Sequence, residues 1–382
     1  MSKNKISYAV LHLAVNPVTG PLSVMRQLAL YQKKSGVKVA FGIIHDSKWQ
    51  KNYESELRVL DIHTYKQKQP KLPGTVSFMY QRFLRPPIGE WVQDLASGSK
   101  AEMVVIHCHN AWQAGVFLPV RHLGNIKCRF VATFHGVGGQ FDRLPIHRLV
   151  HAWMGRRLLN HNAYLSAVDP LSTILSEQWL KIPKEKFTII PNGQEPSILR
   201  ACPFILGKFP FTIGHVGSLT EGKGWEIATE AVIRVAKTGR MVRIIIAGRG
   251  PEQVKVEEYS TRFPALVNYL GYQSKPVENV FPKMDLLAVM SEREGLPMTV
   301  LEGMSVGVPV VTTQNGDSSN AVVDGKTGFI IPRKADELAR VIIKLYDNHN
   351  LLKMLHENTI SRFMDKFQIS NIVGQYHNFY TS

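Results

Sequence analysis

Two glutamates with a fixed spacing could carry out chemistry in this chain. Glu294 and Glu302 flank seven residues in the stretch EREGLPMTVLEG, and Gly-Leu-Pro follows the first glutamate directly. We predict a strand at 285–290, a loop that holds Glu294, and a helix that begins at Pro297, because proline is favoured at the first helical position. Such a helix start offers backbone N–H groups and a partial positive charge to a phosphate or a hydroxyl-rich ligand.

The two carboxylates differ in their depth along this helix. The N–H groups of Gly295, Leu296 and Met298 are the candidate donors at the helix start, whereas Pro297 has none. Glu302 lies about 7.5 Å further along the axis, at 1.5 Å per residue. A carboxylate at that depth suits a vicinal diol such as a ribose. The alternative is a helix-capping acid followed by a solvated helix glutamate, and the pair alone does not exclude it.

A glycine-rich segment upstream places a lysine between a strand and a helix. In GHVGSLTEGKGWEIATEAV the predicted strand ends at Val216, the predicted helix begins near Trp225, and Lys223 lies in the loop. In a parallel sheet, Lys223 and Glu294 would lie at the same edge. A glycine-rich strand–helix turn with a lysine can bind a diphosphate, although many turns of this kind bind nothing.

Apolar, strand-like runs alternate with helix-length segments along the whole chain. This pattern predicts α/β architecture, with two doubly wound Rossmann-like domains whose parallel strands are covered on both faces. The predicted strands are 6–14, 37–45, 102–108, 129–135, 163–168, 187–190, 211–216, 242–247, 267–270, 285–290, 308–313 and 328–331. An irregular, proline-rich segment at 191–210 predicts a seam, and therefore an interdomain cleft in which a ligand could bind.

The positive charge of the chain lies in its first half. The chain has 382 residues and a net charge of +16. Residues 1–190 hold 25 Lys and Arg against 11 Asp and Glu, a net charge of +14, whereas residues 191–382 hold 21 against 19, a net charge of +2. This asymmetry predicts an anionic partner for the first half. Because no recognised nucleic-acid module is present, we favour an anionic membrane surface over nucleic acid.

Two basic segments, 65–87 and 143–161, are candidates for that contact. In the second, apolar residues recur at helical spacing, namely Ile146, Leu149, Val150, Trp153 and Leu158, and Arg148, Arg156 and Arg157 fall among or beside them. A basic amphipathic helix can lie on an anionic membrane. The alternative is a core-facing helix with solvated arginines. We expect no spanning helix, because the chain has no apolar run of 18 residues, and no secretory signal.

The order of the motifs resembles that of the retaining glycosyltransferases of family 4, which have the GT-B fold. The motifs are VGSLTEGKG, IIIAGRGPE, YLGY, SEREGLPMTVLEGMSVGVPVVTT and VVDGKTGFIIP, and the E-x7-E spacing is the most specific of them. In the first half, NPVTGPLSVMRQLA, VIHCHNAW and ATFHG are similar to the glycine loop and the His-bearing strand ends of that family. The closing FQISNIVGQYHNFY is similar to its last helix. The resemblance thus implies an acceptor domain at 1–195, a nucleotide-sugar domain at 196–365, and a helix at 366–382 that crosses back.

The resemblance also implies roles for individual residues. Glu294 would lie near the donor sugar, Glu302 would bind the ribose, and Lys223 would bind the diphosphate. His135 would lie beside the sugar and the reaction centre. Gly20 would belong to the loop that approaches the donor phosphates. The loop at 271–273, which includes Gln273, would read the base through its backbone.

Three departures from the family pattern concern the binding site. The family usually has an arginine where this chain has Ser218, and Arg249 in AGRGP is a candidate substitute. A glycine pair and a later glutamate of the family correspond here to 316–317 and Asn320. The glycine pair of the first half is reduced to Gly20 followed by proline.

The resemblance implies a retaining hexosyltransferase that uses a UDP- or GDP-linked sugar and needs no metal cofactor. The acceptor would be a glycan or a lipid-linked sugar in the biosynthesis of surface polysaccharide, lipopolysaccharide or glycolipid. We expect His107, His109 and His135 to make packing or sugar contacts rather than metal bonds. The expected location is cytoplasmic and peripheral to the inner face of a membrane. A nucleotide-sugar epimerase, or a non-catalytic GT-B protein that binds a sugar or a partner, are the alternatives.

Overall fold

The chain divides into two compact α/β units. The computed structural model describes residues 8–15, 19–46, 60–69, 87–99, 101–109, 114–115, 117–118, 122–123, 125–135, 145–199, 210–292, 294–314 and 318–382. Unit 1 comprises Met1–Gly193 together with Ile369–Ser382, and unit 2 comprises Gln194–Gln368. Each unit is built on one sheet, and the C-terminal helix is part of unit 1.

Unit 1 has a mainly parallel sheet of eight strands. Its strands are β1 Tyr8–Val15, β2 Lys38–His45, β3 His63–Lys68, β4 Met103–Cys108, β5 His122–Leu123, β6 Ile126–Phe134, β7 Tyr164–Ala167 and β8 Phe187–Ile189. Their order is β3-β2-β1-β4-β6-β7-β8, and the short β5 pairs antiparallel with β6. The central strands are long apolar runs because helices cover them on both faces.

Unit 2 has a parallel sheet of six strands. They are β9 Phe211–Val216, β10 Val242–Ala247, β11 Val267–Tyr269, β12 Leu286–Val289, β13 Val310–Thr313 and β14 Gly328–Ile331, in the order β11-β10-β9-β12-β13-β14. The order reverses direction between β9 and β12, which are neighbours in the sheet. In doubly wound sheets the crevice at such a switch point is where ligands bind.

Helices connect the strands in both units. They are α1 Thr19–Lys34, α2 Ile88–Ser97, α3 Pro145–Asn160, α4 Pro170–Leu180, α5 Trp225–Ala236, α6 Gln253–Arg262, α7 Pro276–Asn279, α8 Met298–Val306, α9 Ser318–Ala321, α10 Ala335–Asp347, α11 His349–Lys366 and α12 Ile369–Thr381. The helix α12 packs against α1 within unit 1, and it buries Tyr376 and Tyr380 there. Of the residues that the structure describes, none belongs to a helix both long and apolar enough to cross a bilayer.

Each of the twelve predicted strands is present, and two further strands escaped prediction. β3 has the sequence HTYKQK, which shows no apolar run, because this edge strand pairs only with β2 and leaves most of its side chains at least partly exposed. The two-residue strand β5 is too short to show a pattern. A polar edge strand is therefore what the apolar pattern could not reveal.

Candidate active site

Two loops of unit 2 meet at the carboxyl end of its sheet. One follows β9 and contains Lys223, and the other follows β12 and contains Glu294. The two strands are parallel neighbours, with Ile213 paired to Leu286. The expectation that both residues lie at one edge of a parallel sheet is therefore confirmed.

Glycines allow these loops to approach each other. Gly224 precedes α5 with a φ of +78°, and a Cβ added there would lie 2.2 Å from the carbonyl oxygen of Met290. Gly222 has a φ of +83°, and its carbonyl accepts from the N–H of Glu292 at 2.8 Å. A side chain at Gly224 would clash with the backbone and strain its left-handed conformation. The glycines thus fix Lys223 against the end of β12.

Lys223 and Glu294 form an ion pair. The Lys223 Nζ donates to Glu294 Oε1 at 2.6 Å, with 33% and 19% of the two side chains exposed. Ser291 Oγ donates to the same carboxylate oxygen at 2.8 Å. The backbone carbonyl of Ser291 in turn accepts from Thr313 Oγ1 at 2.7 Å. Glu294 is thus anchored from β9, β12 and β13, and the partly exposed ammonium of Lys223 remains within reach of a ligand.

The helix α8 begins one residue later than predicted. Pro297 has an extended conformation, with φ −70° and ψ 137°, and precedes the helix as its N-cap, whereas Met298 is the first helical residue. The predicted start, at about Pro297, thus agrees to within one residue, and Pro297 is the N-cap rather than the first helical residue. Leu296 is buried just before it, and residues before proline favour extended backbone. The first N–H group of the helix belongs to Met298, because Pro297 has none. The Pro297 side chain makes no capping hydrogen bond at this helix start.

Glu302 is the fifth residue of α8 and has a perturbed carboxyl group. Burial raises its pKa to about 7. Within the described part of the chain, no hydrogen-bond donor to its carboxylate is present. Its side chain is only partly exposed, so it is not a fully solvated helix glutamate. Gly303 lies on the same helix, where an added Cβ would be 3.0 Å from Leu287, so α8 packs closely on the sheet and carries Glu302 with it.

The remaining predicted contacts of unit 2 lie in the loops after β9, β10 and β11. Ser218 is exposed, and the Arg249 guanidinium lies 4.4 Å from the ring centroid of Tyr272. Gln273 Nε2 donates to the carbonyl of Leu270 at 2.7 Å, which folds this side chain back onto its own loop. Gly295 is partly buried. The guanidinium of Arg249 therefore stacks on Tyr272.

In unit 1, His135 belongs to a cluster of histidines. It follows β6, and its Nε2 lies 3.4 Å from His109 Nδ1. His109 Nε2 lies 2.8 Å from His12 Nδ1, and His12 Nε2 lies 2.7 Å from Gln32 Oε1. Burial lowers the pKa of His135 and His12 to about 4. These imidazoles are therefore neutral near pH 7.

Three of these imidazoles could reach one metal ion. His12, His107 and His109 are buried, and their nitrogens lie within 4.8 Å of one another. However, both ring nitrogens of each residue already have partners. Those of His107 are Tyr380 OH at 2.7 Å and Thr133 Oγ1 at 2.6 Å. An ion would have to displace these hydrogen bonds, so hydrogen bonding accounts for the cluster. The expectation that the protein needs no metal stays a prediction.

Gly20 lies in a helix rather than a loop. It is the second residue of α1, and a Cβ added there would meet nothing within 4 Å. The prediction of a glycine loop at this residue is therefore wrong, because the proline that follows is compatible with a first helical turn. The described residues do not include 16–18 of that predicted loop, the pair 316–317 or most of the basic segment 65–87.

The predicted amphipathic helix of unit 1 exists as α3, but its apolar residues do not share one face. Leu149 is 72% exposed, whereas Leu158 is fully buried. Nine residues at about 100° each place them on opposite sides of the helix. Arg157 Nε donates to the carbonyl of Gly115 at 2.8 Å, so this arginine is a structural contact. Arg156 is exposed. The side chain of Arg148 lies outside the described residues.

Sequence reasoning missed Gln32 and Tyr380 and treated His12 as part of an apolar strand. His12 pairs with His107 across β1 and β4, so both rings come together only once the register is known. It also missed His215 on β9. Burial, and then the positive charge of Lys223, lower the pKa of this histidine to about 4. The available signal was a histidine within each of three buried strands, namely His12 in β1, His107 in β4 and His215 in β9.

Comparisons with known proteins place a family domain in unit 2. Residues 210–348 match the family described as "Glycosyl transferases group 1". The chain is 26% identical over 178 residues to the capsular polysaccharide biosynthesis glycosyltransferase CapM of Staphylococcus aureus. This match covers 45% of this chain and 46% of CapM. It is 27% identical over 252 residues to the amylovoran biosynthesis glycosyltransferase AmsK of Erwinia amylovora, which covers 62% of this chain and 60% of AmsK. The chain thus spans roughly half of each relative.

A solved structure shows the fold. HepE of Anabaena, crystallised in complex with UDP, is similar over 98% of this chain and 99% of its own, with a TM-score of 0.76 and 18% identity. The predicted fold class is confirmed as two Rossmann-like domains of the GT-B type, whereas membership of family 4 stays a prediction. Unit 2 carries a glycosyl transferase group 1 domain, within a chain of the GT-B fold.

Proposed function

We propose that the protein is a glycosyltransferase that moves a hexose from a UDP- or GDP-linked sugar to a glycan or lipid-linked acceptor, with retention at the anomeric carbon. The proposal is supported by the group 1 domain at 210–348 and by relatives that act in capsular polysaccharide and amylovoran biosynthesis. UDP in the crystal structure of HepE favours a nucleotide ligand. Surface polysaccharide biosynthesis is the corresponding process.

The observation that carries this proposal is the carboxylate of Glu302. A partly exposed carboxyl group with a pKa raised by burial, and with no donor among the described residues, suits a ligand that supplies hydrogen bonds. A ribose diol supplies two. The carboxylate lies on the helix whose start follows Glu294, the partner of Lys223. A nucleotide diphosphate sugar offers the diol, the anionic diphosphate and the sugar that these three residues suit.

In the proposed reaction the bond between the anomeric carbon and the diphosphate oxygen breaks, and its electron pair leaves with the diphosphate. Lys223 and the N–H of Met298 stabilise the negative charge that grows there. Glu294 lies on the sugar side and favours the positive charge of the oxocarbenium-like transition state. The acceptor hydroxyl attacks on the face that the diphosphate leaves, and its proton passes to a diphosphate oxygen. We assign His135 a contact with a sugar hydroxyl.

A membrane-bound acceptor is the second part of the proposal. The net charge of +14 on residues 1–190 would attract an anionic membrane surface to unit 1. On α3, Leu149 and Arg156 are seven residues apart and therefore on nearly the same face, and both are exposed. This face suits a peripheral contact on the cytoplasmic side, where lipid-linked sugars would be the acceptors. Arg157 is not part of it.

The experiment is a two-step assay with UDP- and GDP-linked hexoses. Thermal shift first identifies the donor, because a ligand at 100 times its dissociation constant stabilises by about 2.7 kcal/mol. Release of nucleoside diphosphate is then measured with and without lipid-linked or glycan acceptors. Release that depends on an acceptor supports transfer. An epimerised nucleotide sugar supports an epimerase, and binding without any turnover supports a non-catalytic sugar-binding protein.

A further inference from the structure

A chain of hydrogen bonds runs through the core of unit 1 and ends at His135. It begins at Gln32 on α1, whose Oε1 lies 2.7 Å from His12 Nε2. His12 Nδ1 lies 2.8 Å from His109 Nε2, and His109 Nδ1 lies 3.4 Å from His135 Nε2. The planes of the last two rings are within 18° of parallel, with their centroids 5.6 Å apart. Gln32 is thus joined to His135 through two intervening imidazoles.

Each imidazole in this chain has one hydrogen to give. Burial lowers the pKa of His12 and His135 to about 4, and it lowers the pKa of His109 well below its ordinary value. A neutral imidazole has one N–H donor and one acceptor nitrogen. Once one nitrogen in the chain is known to donate, the role of every other nitrogen follows.

Gln32 sets the direction. Its Nε2, which can only donate, faces Tyr380 OH at 3.4 Å, and its Oε1, which can only accept, faces His12. His12 therefore donates from Nε2 and accepts at Nδ1 from His109. His109 donates from Nε2 and accepts at Nδ1 from His135. The hydrogen of His135 is then on Nε2, and its Nδ1 is left with a lone pair.

A second branch is consistent with the same direction. Tyr380 OH accepts from Gln32 and can donate to His107 Nδ1 at 2.7 Å. His107 then donates from Nε2 to Thr133 Oγ1 at 2.6 Å. Every donor along both branches meets an acceptor. The opposite direction requires the amide of Gln32 to be turned over, and His135 Nδ1 would then donate, for which the neighbouring Asn192 offers an amide oxygen.

We propose that Gln32 is a positioning residue that acts through His12 and His109 to hold His135 as the Nε2–H tautomer, so that His135 Nδ1 accepts a hydrogen bond from a hydroxyl of the ligand. The side chain of Asn192 neighbours this buried nitrogen, but within the described chain no hydrogen bond to it is formed. The identity of the hydroxyl as that of a sugar rests on the proposed function, whereas the tautomer does not.

The tautomer is measured by ¹⁵N NMR on protein labelled at histidine, without any ligand. The resonances of His135, one of fourteen histidines, are assigned by their loss in His135→Asn. We expect a protonated, pyrrole-type Nε2 and an unprotonated, pyridine-type Nδ1. In Gln32→Glu, whose carboxyl oxygen still accepts from His12, the pattern should persist. In Gln32→Met, which has a similar shape and no acceptor, the two nitrogens of His135 should show mixed character.

Two outcomes would overturn the proposal. A pyrrole-type Nδ1 at His135 in the unsubstituted protein shows that the chain runs in the opposite direction, and this measurement holds even if Gln32→Met does not fold. An unchanged tautomer in folded Gln32→Met shows that Gln32 does not set it. With a donor in hand, Gln32→Met should lower kcat/KM about 2- to 13-fold, the equivalent of one neutral hydrogen bond, and Gln32→Glu should recover most of it. A negative transfer assay leaves the NMR result intact.

Discussion

Lys223 and Glu294 form an ion pair, with Nζ 2.6 Å from Oε1. The same ammonium is the candidate cation for the diphosphate, so a ligand must compete with Glu294 for it. Ser291 Oγ, 2.8 Å from the same oxygen, keeps the carboxylate in place when the lysine turns to a ligand. In the proposed function the pair joins a diphosphate-binding residue to a residue near the sugar, so we expect mutation to separate the two roles.

The first prediction is that Glu294→Gln separates binding from turnover. Removal of the negative charge frees Lys223, so affinity for UDP or GDP should hold or tighten by up to about fivefold, the worth of a partly exposed ion pair. Turnover should fall strongly. Lys223→Ala should weaken nucleotide binding about 10- to 150-fold, because a hydrogen bond to a charged group contributes about 1.5–3 kcal/mol.

Isothermal titration calorimetry with each nucleotide measures these affinities. Glu292→Gln is the matched control, because Glu292 is an exposed acid in the same loop and pairs with Arg333 at 3.4 Å instead. Weaker nucleotide binding in Glu294→Gln would show that Glu294 contacts the nucleotide directly.

The second prediction concerns the pH dependence that Glu302 gives to nucleotide binding. Burial raises its pKa to about 7, and a diol needs the ionised form to donate two hydrogen bonds to it. Between pH 8 and pH 6 the ionised fraction falls about tenfold, so affinity should fall by up to about that factor. The phosphates also titrate near pH 6, and Glu302→Gln isolates their share. Parallel affinity–pH profiles for the two proteins would exclude the ribose role.

Which parts of the candidate site could be predicted from the sequence depends on where each residue lies in the sheet. Lys223 and Glu294 follow buried strands, so their shared edge could be predicted from the parallel pattern alone. Their ion pair could not, because it depends on the left-handed backbone at Gly222 and Gly224. The histidine cluster could not either, because His12 inside an apolar strand looks like an ordinary core residue until the sheet register brings it to its partners.

The third prediction concerns the place of a missing arginine. Ser218 is exposed in the loop after β9, and the guanidinium of Arg249 stacks on Tyr272. We therefore expect Ser218→Arg to tighten nucleoside diphosphate binding about tenfold or more, through a charge-assisted contact. Ser218→Gln, long and uncharged, is the control. If Arg249 already supplies this charge in the complex, Ser218→Arg will change little and Arg249→Ala will weaken diphosphate binding instead.

The fourth prediction is acid lability caused by buried neutral histidines. Burial lowers the pKa of six of them, to about 4 for His12, His135, His215 and His356 and well below the ordinary value for His107 and His109. Their unfolded pKa is about 6.5, so the unfolded chain binds protons first, and the free energy of unfolding falls as the pH drops below 6.5. Each contributes a slope of up to about 1.4 kcal/mol per pH unit.

Among the described residues, four acids whose pKa is raised by burial oppose this trend, namely Asp169, Glu226, Asp285 and Glu302. Burial raises the pKa of Asp285 and Glu302 to about 7, so these groups favour the folded state as the pH falls through 7. The histidines outnumber them, and the net effect should be a loss of stability. Thermal unfolding from pH 7.5 to 5 measures it, and His215→Leu should be less acid-sensitive than the unsubstituted protein. A midpoint that stays constant over this range would mean that these histidines titrate normally.

The last prediction concerns the membrane and follows from the outward face of α3. Leu149 and Arg156 lie on this face, whereas Arg157 binds the carbonyl of Gly115 inside unit 1. Each basic residue near an anionic surface contributes about 1 kcal/mol, and salt screens most of it. The protein should therefore sediment with anionic vesicles at low salt and come off at high salt.

The double variant Leu149→Ser, Arg156→Glu should lose most of that binding and retain nucleotide affinity, because both changes lie outside unit 2. Arg234→Glu, an exposed charge reversal in unit 2, is the matched control and should sediment normally. Equal sedimentation with neutral and anionic vesicles, or none with either, would favour an acceptor that is not presented by an anionic membrane.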